Sequence, residues 1–406
     1  MKTLLAHPTG NNFVREAAIA LQENALLGEL HLSIASCHRN CFQRLSLLPG
    51  FRDIARRSYP DSLFNYLRLH PQRELVRLLA QRLNWQSLLR HETGWASVDA
   101  CYRSFDAKVA QSMSSVSNLD RVYAYEDGAL SIFQRANELG WKCIYDLPIA
   151  HWKTGRQILE EEAERLPEWR ATLKTVIDSK EKTDRKDLEL ELADIIICPS
   201  QFVADSIPEN IRRSKQLHII PFGSPAISRF DKTANKKLKV LFAGTLTQRK
   251  GLADLMSAMQ LLNPEQFELH LMGSLAAPLD FYKSQCHNFT YHSTRPHAEV
   301  LELMQSCDVF VLPSLVEGRA LVQQEALACG LPIIVTANAG AADLVADEKA
   351  GFLVPIRSPE SIAEKLQLLQ TNRALLQTMQ QAAPIVAQEI TWQRYREQIS
   401  SAVANA

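Results

Sequence analysis

Phe242-Ala243-Gly244-Thr245-Leu246-Thr247-Gln248-Arg249-Lys250-Gly251-Leu252 reads as the end of a strand, a glycine-opened loop with two adjacent cations, and the start of a helix. Lys239 to Phe242 is the strand. Other short β-branched or apolar runs lie at Lys2 to Ala6, Arg121 to Tyr125, Trp141 to Tyr145, Ile195 to Cys198, Leu217 to Ile220, Glu268 to Leu271, Val309 to Leu312 and Pro332 to Val335. They alternate with longer amphipathic segments. That rhythm predicts an α/β protein with parallel sheets covered by helices on both faces, its ligands lying beyond the carboxyl ends of the strands. Many runs stop at residues that redirect the backbone, among them Gly10, Gly128, Pro199-Ser200, Gly244, Gly273 and Pro313-Ser314.

A chain of 406 residues exceeds what one core usually organises, so two domains are expected. Pro221 ends a strand, the stretch to Lys237 is largely polar, and the rhythm restarts at Lys239. These features put the boundary near Phe222, giving domains 1–222 and 223–387. Ser361 to Met379 reads as one helix and Thr391 to Val403 as another. The latter carries Trp392, Tyr395 and Ile399 at helical spacing, and a segment of about 388–404 is expected to dock back on the first domain.

With 45 basic and 45 acidic residues the formal charge is zero, which removes any whole-protein argument for nucleic acid as a partner. The eight cysteines are dispersed and read as small buried hydrophobes of a reducing compartment. Cys37 and Cys41 have only His38 as a neighbouring ligand, too few for a zinc site. No apolar run is long enough to cross a bilayer, and the expectation is a cytoplasmic protein, soluble or peripheral at the inner face of the membrane. Arg44 to Arg90 holds nine arginines against Asp53, Asp61 and Glu74, interleaved with Leu, Phe, Tyr and Trp. Such a face suits an anionic membrane or a lipid-diphosphate acceptor, and equally an ordinary solvated helix pair. Glu160 to Asp194 is charge-dense and expected to be a solvated face.

Glu317-Gly318-Arg319-Ala320-Leu321-Val322-Gln323-Gln324-Glu325 follows the strand Val309 to Leu312 and opens a helix. Amides near 319–322 at a helix N-terminus form an anion site, and Gly318 is expected to let a ligand approach the backbone. Glu317 and Glu325 are placed to accept hydrogen bonds from sugar hydroxyls, Arg249 and Lys250 to neutralise a diphosphate. Each motif alone has a bland reading as surface or helix-dipole residues. Together, at successive strand ends, they favour one site.

Phe-Ala-Gly-x-Leu-x-x-Arg-Lys-Gly at 242–251, Leu-Pro-Ser-Leu-x-Glu-Gly at 312–318 and the Glu317 to Glu325 spacing resemble retaining glycosyltransferase family 4, glycosyl transferases group 1. Ala193 to Ser200 and Ile219 to Gly223 are similar to its interdomain strands. The resemblance implies a GT-B fold, two Rossmann-like domains facing across a cleft, with a nucleoside-diphosphate sugar bound mainly by the second. Glu317 would contact the transferred sugar, Glu325 the ribose, and Arg249 with Lys250 the diphosphate, while Gly244, Gly318, Arg319, Ala320, Leu321 and Val322 complete the donor site. Many members carry arginine directly after the first loop glycine. Here Thr245 stands there, which leaves Arg249 as its substitute.

In the first domain the family brings the turn after strand one against the donor, here Gly10 and Asn11. Tyr123 to Gly128 and Tyr145 to Trp152 end strands with polar residues expected to face the cleft. Glu126, Asp127, Asp146 and His151 are the acceptor-side candidates, with His151 a candidate for catalysis or an ordinary packed histidine. Signatures of P-loop, zincin, nucleophile-elbow and Cys-x-x-Cys chemistry are absent, as is Asp-x-Asp, so neither metal nor cofactor is expected. The expected reaction moves a hexose to a hydroxyl acceptor, a glycan or a lipid-linked one. Two rivals stand beside it: a nucleotide-sugar epimerase of the same fold and a non-catalytic sugar-nucleotide-binding protein.

Overall fold

A computed structural model describes residues 2–37, 42, 54, 57–113, 118–173, 178–226 and 236–406. His38, Cys41, Arg44, Arg52 and Arg56, and with them part of the arginine-rich stretch, lie outside the described residues. The seven described cysteines are all buried.

The first sheet comprises β1 (Thr3–His7), β2 (Leu27–Leu32), β3 (Leu67–Leu69), β4 (Arg121–Tyr125), β5 (Lys142–Asp146), β6 (Ile195–Cys198) and β7 (Gln216–Ile219), in the order β3-β2-β1-β4-β5-β6-β7. The second comprises β8 (Leu238–Ala243), β9 (Phe267–Met272), β10 (Thr290–His292), β11 (Val309–Leu312), β12 (Ile333–Val335) and β13 (Gly351–Leu353), ordered β10-β9-β8-β11-β12-β13. All pairings are parallel. Helices cover both faces, and so runs such as Ile195-Ile196-Ile197-Cys198 are apolar at every position and buried throughout. In each sheet the strand order reverses beside the first strand, which opens a crevice at the carboxyl edge.

The sequence did not announce β2, β3, β10 and β13. β2 interrupts its apolar residues with Glu29 and His31, and the other three have only three residues each. The helix expected over Ser361 to Met379 is two, Pro359–Thr371 and Arg373–Glu389. Asn372 divides them, its side chain capping the second by accepting from the Leu375 amide.

Two segments cross between the halves. Helix Trp392–Ala404 packs on helix Asn12–Glu23, and Tyr395, Ile399, Ala402 and Val403 join the core of the first sheet. Conversely, the turn Pro167–Thr172 sends Trp169 into the core of the second sheet, edge-on to Phe281 at 4.9 Å and Tyr282 at 5.8 Å between centroids. The region Glu160 to Asp194 is therefore no simple solvated face. Glu162 and Glu189 are fully buried and Lys186 nearly so, because arginines, backbone amides and carboxylates compensate each charge.

Candidate functional site

The loops after β8 and β9, the loop after β11 and the first turn of helix Leu321–Ala328 enclose a cavity of about 390 Å³, a size common for small-ligand pockets. Gly244, Gly273, Lys250, Arg295, Glu317 and Leu321 are among its walls. Two glycines are required by contact as well as by conformation. Gly244 has φ +145°, and a Cβ there would press on the Lys250 side chain at 3.2 Å. Gly273, at φ +138°, lets its loop lie against the Gly244 carbonyl, which a Cβ would meet at 1.9 Å.

Glu317 sits between the two cations. Its Oε1 is 2.6 Å from Lys250 Nζ and 3.0 Å from Arg249, and its side chain is 12% exposed. Burial pushes its carboxyl pKa up, but the charges of Arg249 and Lys250 outweigh that and hold it below the ordinary value. Two positive charges on one carboxylate leave the cluster with a surplus of one. Beside it, helix Leu321–Ala328 starts from Ala320, which has no side chain to cap the first turn, and no acidic residue occupies that turn. Surplus cation and uncomplemented helix start both favour an anion in the cavity.

Structure and sequence expectation differ at four of these positions. Arg249 is absent from the cavity walls: its guanidinium donates to the Val316 carbonyl at 2.7 Å, and its own carbonyl accepts from Leu315 at 2.9 Å. It braces Glu317 from behind. The second wall cation is Arg295, which the sequence reading missed. Arg319 is 4% exposed and spends its guanidinium on the Gly340 carbonyl at 2.8 Å and on Asp343 at 2.8 and 3.0 Å, turning away from the cavity. Gly318 admits protein backbone in place of ligand. A Cβ there would lie 1.7 Å from the Pro148 carbonyl, and the Gly318 carbonyl accepts from Ser200 at 2.7 Å, so the two halves meet here. Glu325 lies outside the walls, paired at 2.9 Å with His297, a second residue the sequence reading missed.

The first half shows more closed sites. Gly10 has φ +69°, and the His7 Nδ1 accepts from the amides of Thr9 and Gly10 at 3.0 and 2.7 Å, while Asn11 caps helix Asn12–Glu23 without a side-chain bond. Burial, with Arg57 assisting, lowers the His7 pKa to about 3, so the ring stays a neutral acceptor. Neither Gly10 nor Asn11 is among the cavity walls. Three acceptor-side candidates are packed inward and the fourth is tied into a salt bridge. Glu126 and Asp127 share Lys186 at 3.4 and 3.5 Å, and burial raises the Glu126 pKa to about 7 against the pull of Lys186. Asp146 is 1% exposed and accepts from the Tyr123 hydroxyl at 2.6 Å; burial raises it to about 7. His151 is 3% exposed, with Nε2 on Asp187 at 3.0 Å and its amide on Ser206, and burial lowers its pKa although Asp187 opposes this. Helix Lys180–Leu192, bringing Lys186, Asp187 and Glu189, covers Glu126 and His151, whereas Asp146 lies on the opposite face of the sheet, with Tyr123 and Tyr395.

Residues 225–385 match the family described as glycosyl transferases group 1. D-inositol 3-phosphate glycosyltransferase of Arthrobacter sp. (strain FB24) is 31% identical over 169 residues, 39% of this chain and 40% of that one. The chain spans about half the length of the curated relatives it matches, 40 to 57% for the first three. Among solved structures, sucrose-phosphate synthase of Thermosynechococcus elongatus aligns with TM-score 0.67 at 15% identity over 99% of this chain and 98% of that one. Anabaena HepE in complex with UDP-glucose aligns with TM-score 0.60 at 17% identity over the whole of both chains. These likenesses establish the fold as GT-B, two Rossmann-like domains.

Proposed function

We propose that the protein is a retaining family 4 glycosyltransferase that moves a hexose from a nucleoside-diphosphate sugar to a hydroxyl acceptor, glycan or lipid-linked, with no metal or other cofactor. One observation carries this reading. Lys250 and Arg249 converge on Glu317 at the edge of the β8/β9/β11 cavity, beside an uncapped helix start.

In this reading the donor diphosphate takes the cavity's positive surplus. Lys250, Arg295 and the amides opening helix Leu321–Ala328 bind it, and the same charges stabilise the leaving diphosphate as the anomeric bond breaks. Once Lys250 turns to phosphate, Glu317 is released to accept from hexose hydroxyls. Glu325, at the next turns of its helix, is assigned to the ribose with His297 as its partner. No divalent cation is needed because the protein supplies the countercharge. The matched family and the curated relatives' printed activities support the transferase class; UDP-glucose in the Anabaena structure supports the donor class.

No helix among the described residues is long and apolar enough to cross a membrane. Trp85, Trp95, Leu79, Leu83 and Val98 are exposed beside Arg73, whose guanidinium lies over the Trp95 ring at 4.7 Å. That surface supports a peripheral station at an anionic cytoplasmic leaflet, although Arg57 and Arg77 of the same stretch turn inward to Glu74.

The test is incubation of the protein with UDP-, GDP- and ADP-hexoses, with and without glycan and polyprenyl-phosphate acceptors, in EDTA. Acceptor-dependent release of nucleoside diphosphate with an unchanged anomeric configuration in the product is expected. A change in the sugar without acceptor would make it an epimerase, and binding with no turnover a scaffold.

A further inference from the structure

We propose that Glu162, in the first half of the chain, is a positioning residue for the turn that carries the diphosphate-binding Lys250, acting through Gln248. This rests on the sugar-nucleotide reading above.

Arg249 and Lys250 sit in a 3₁₀ turn of only three residues, Gln248–Lys250, which has no side-chain cap. So short a turn has no stability of its own. Its position is set by what grips it on either side. On one side the Arg249 carbonyl binds the loop after β11. On the other, Gln248 is fully buried with its whole amide engaged: Nε2 donates to Glu162 at 2.6 Å and Asp254 at 2.8 Å, and Oε1 accepts from the Ala253 amide at 2.6 Å. Its backbone amide donates to Thr172 Oγ1 at 3.1 Å. Two of these partners, Glu162 and Thr172, belong to the segment that crosses from the first half.

Glu162 is itself held rigidly. Arg165 binds both its oxygens at 2.7 and 3.0 Å and also Asp254 at 2.7 Å, while Arg357 donates to it at 2.8 Å. Burial pushes the Glu162 pKa up, but hydrogen bonds from Arg165 and Gln248 bring it below the ordinary value, so it remains an acceptor. Glu162 and Asp254, both buried, are balanced by the partly exposed Arg165 and Arg357, which makes the two buried carboxylates tenable. Four donors converge on the two Glu162 oxygens, and an amide in its place would leave them one acceptor; the loser strands the buried Gln248 amide, and the cheapest repair is to move the turn that bears Lys250. The first half thus shapes the donor site without lining it.

Calorimetric titration with UDP, GDP and ADP, and with UMP, GMP and AMP, tests the linkage in wild type, Glu162→Gln, Thr172→Val and, as a control for the cation, Lys250→Ala. Wild type should prefer the best-bound diphosphate over its monophosphate, and Lys250→Ala should reduce that preference, leaving what Arg295 and the helix amides supply. Glu162→Gln should weaken the diphosphate ~10-fold and the monophosphate less than ~2-fold, and the near-isosteric Thr172→Val should shift the ratio ~3-fold in the same sense. A purely structural role would lower the number of competent sites and leave the ratio alone. Should Glu162→Gln fail to fold, Thr172→Val decides by itself. A wild-type ratio in the folded variants overturns the proposal while leaving the donor reading intact; no preference in wild type overturns both.

Discussion

Each half of the molecule carries a carboxylate and lysine cluster at the carboxyl ends of its strands, and the two are built in opposite senses. In the second half one carboxylate, Glu317, meets two cations, Lys250 at 2.6 Å and Arg249 at 3.0 Å, on the wall of a cavity. In the first half two carboxylates, Glu126 and Asp127, share one lysine, Lys186 at 3.4 and 3.5 Å, under helix Lys180–Leu192. The first arrangement has positive charge to spare and an open wall; the second has more carboxylates than cations, with Glu126 covered and kept protonated to about pH 7 by burial, while Asp127 reaches a second cavity of about 310 Å³. The lesson is that charged residues at strand ends do not by themselves mark a site. The sign of the imbalance, and whether anything covers it, decide what a ligand can do there.

The largest expected effect tests the open cluster. Lys250→Ala and Glu317→Ala should each reduce turnover of the sugar nucleotide by about 100- to 1,000-fold, the first by losing charge on the leaving diphosphate and the second by losing the acceptor for the hexose hydroxyls. Release of nucleoside diphosphate is the readout. Near-normal turnover in both would mean that the surplus positive charge serves no transfer step, and the contrast between the halves would lose its functional meaning.

Next in size is a stability effect in the closed half. The Asp146 pKa rises from 3.8 to about 7 on folding, so between those values the native state holds a proton that the unfolded chain has released. Stability therefore falls as pH rises through that window. Asn cannot ionise, so the stability of Asp146→Asn relative to wild type should rise by about 4 kcal/mol between pH 4 and pH 8, on top of a pH-independent cost for its imperfectly matched amide. Urea midpoints at pH 4 and pH 8 measure it. A pH-independent difference would show that Asp146 is ionised in the native state and available as the polar group the sequence suggested.

Much of this was legible before the structure. Runs such as Val309 to Leu312 betray buried parallel strands because every position is apolar, and Arg249, Lys250 and Glu317 stood directly behind such runs. Arg295 was invisible for the same reason in reverse: it follows β10, a three-residue edge strand whose Thr290-Tyr291-His292 has no apolar run to flag it. Gly318 and Arg319 were assigned to ligand, yet their partners, Pro148 and Asp343, are 170 and 24 residues away respectively, and spacing holds no trace of either contact. Glu126, Asp146 and His151 failed alike. Sequence placed them at strand ends and could not show what covers them, helix Lys180–Leu192 over Glu126 and His151 and the Tyr123 side chain against Asp146.

Arg295 offers a smaller test. It lines the cavity on the exposed side, where solvent screens its charge, so Arg295→Ala should raise the KM for donor about 5-fold, near 1 kcal/mol, with little change in kcat. Loss in kcat equal to that of Lys250→Ala would instead place it against the leaving phosphate.

The smallest expected effect is the most discriminating. Glu126→Gln removes one of the two carboxyl groups around Lys186, and Asp127 remains to pair with the lysine. Burial raises Glu126 to about 7, so near pH 6 the wild-type group is mostly protonated and the amide is a close mimic. Turnover should therefore stay within about 2-fold of wild type at pH 6, and the variant should be the more stable protein above pH 7, where wild type must bury the ionised carboxylate. If instead turnover at pH 8 collapses while the fold holds, the ionised Glu126 is being used on the acceptor and the lid over it must open. The two clusters would then be successive parts of one reaction, and the difference in their cover would reflect when each is exposed.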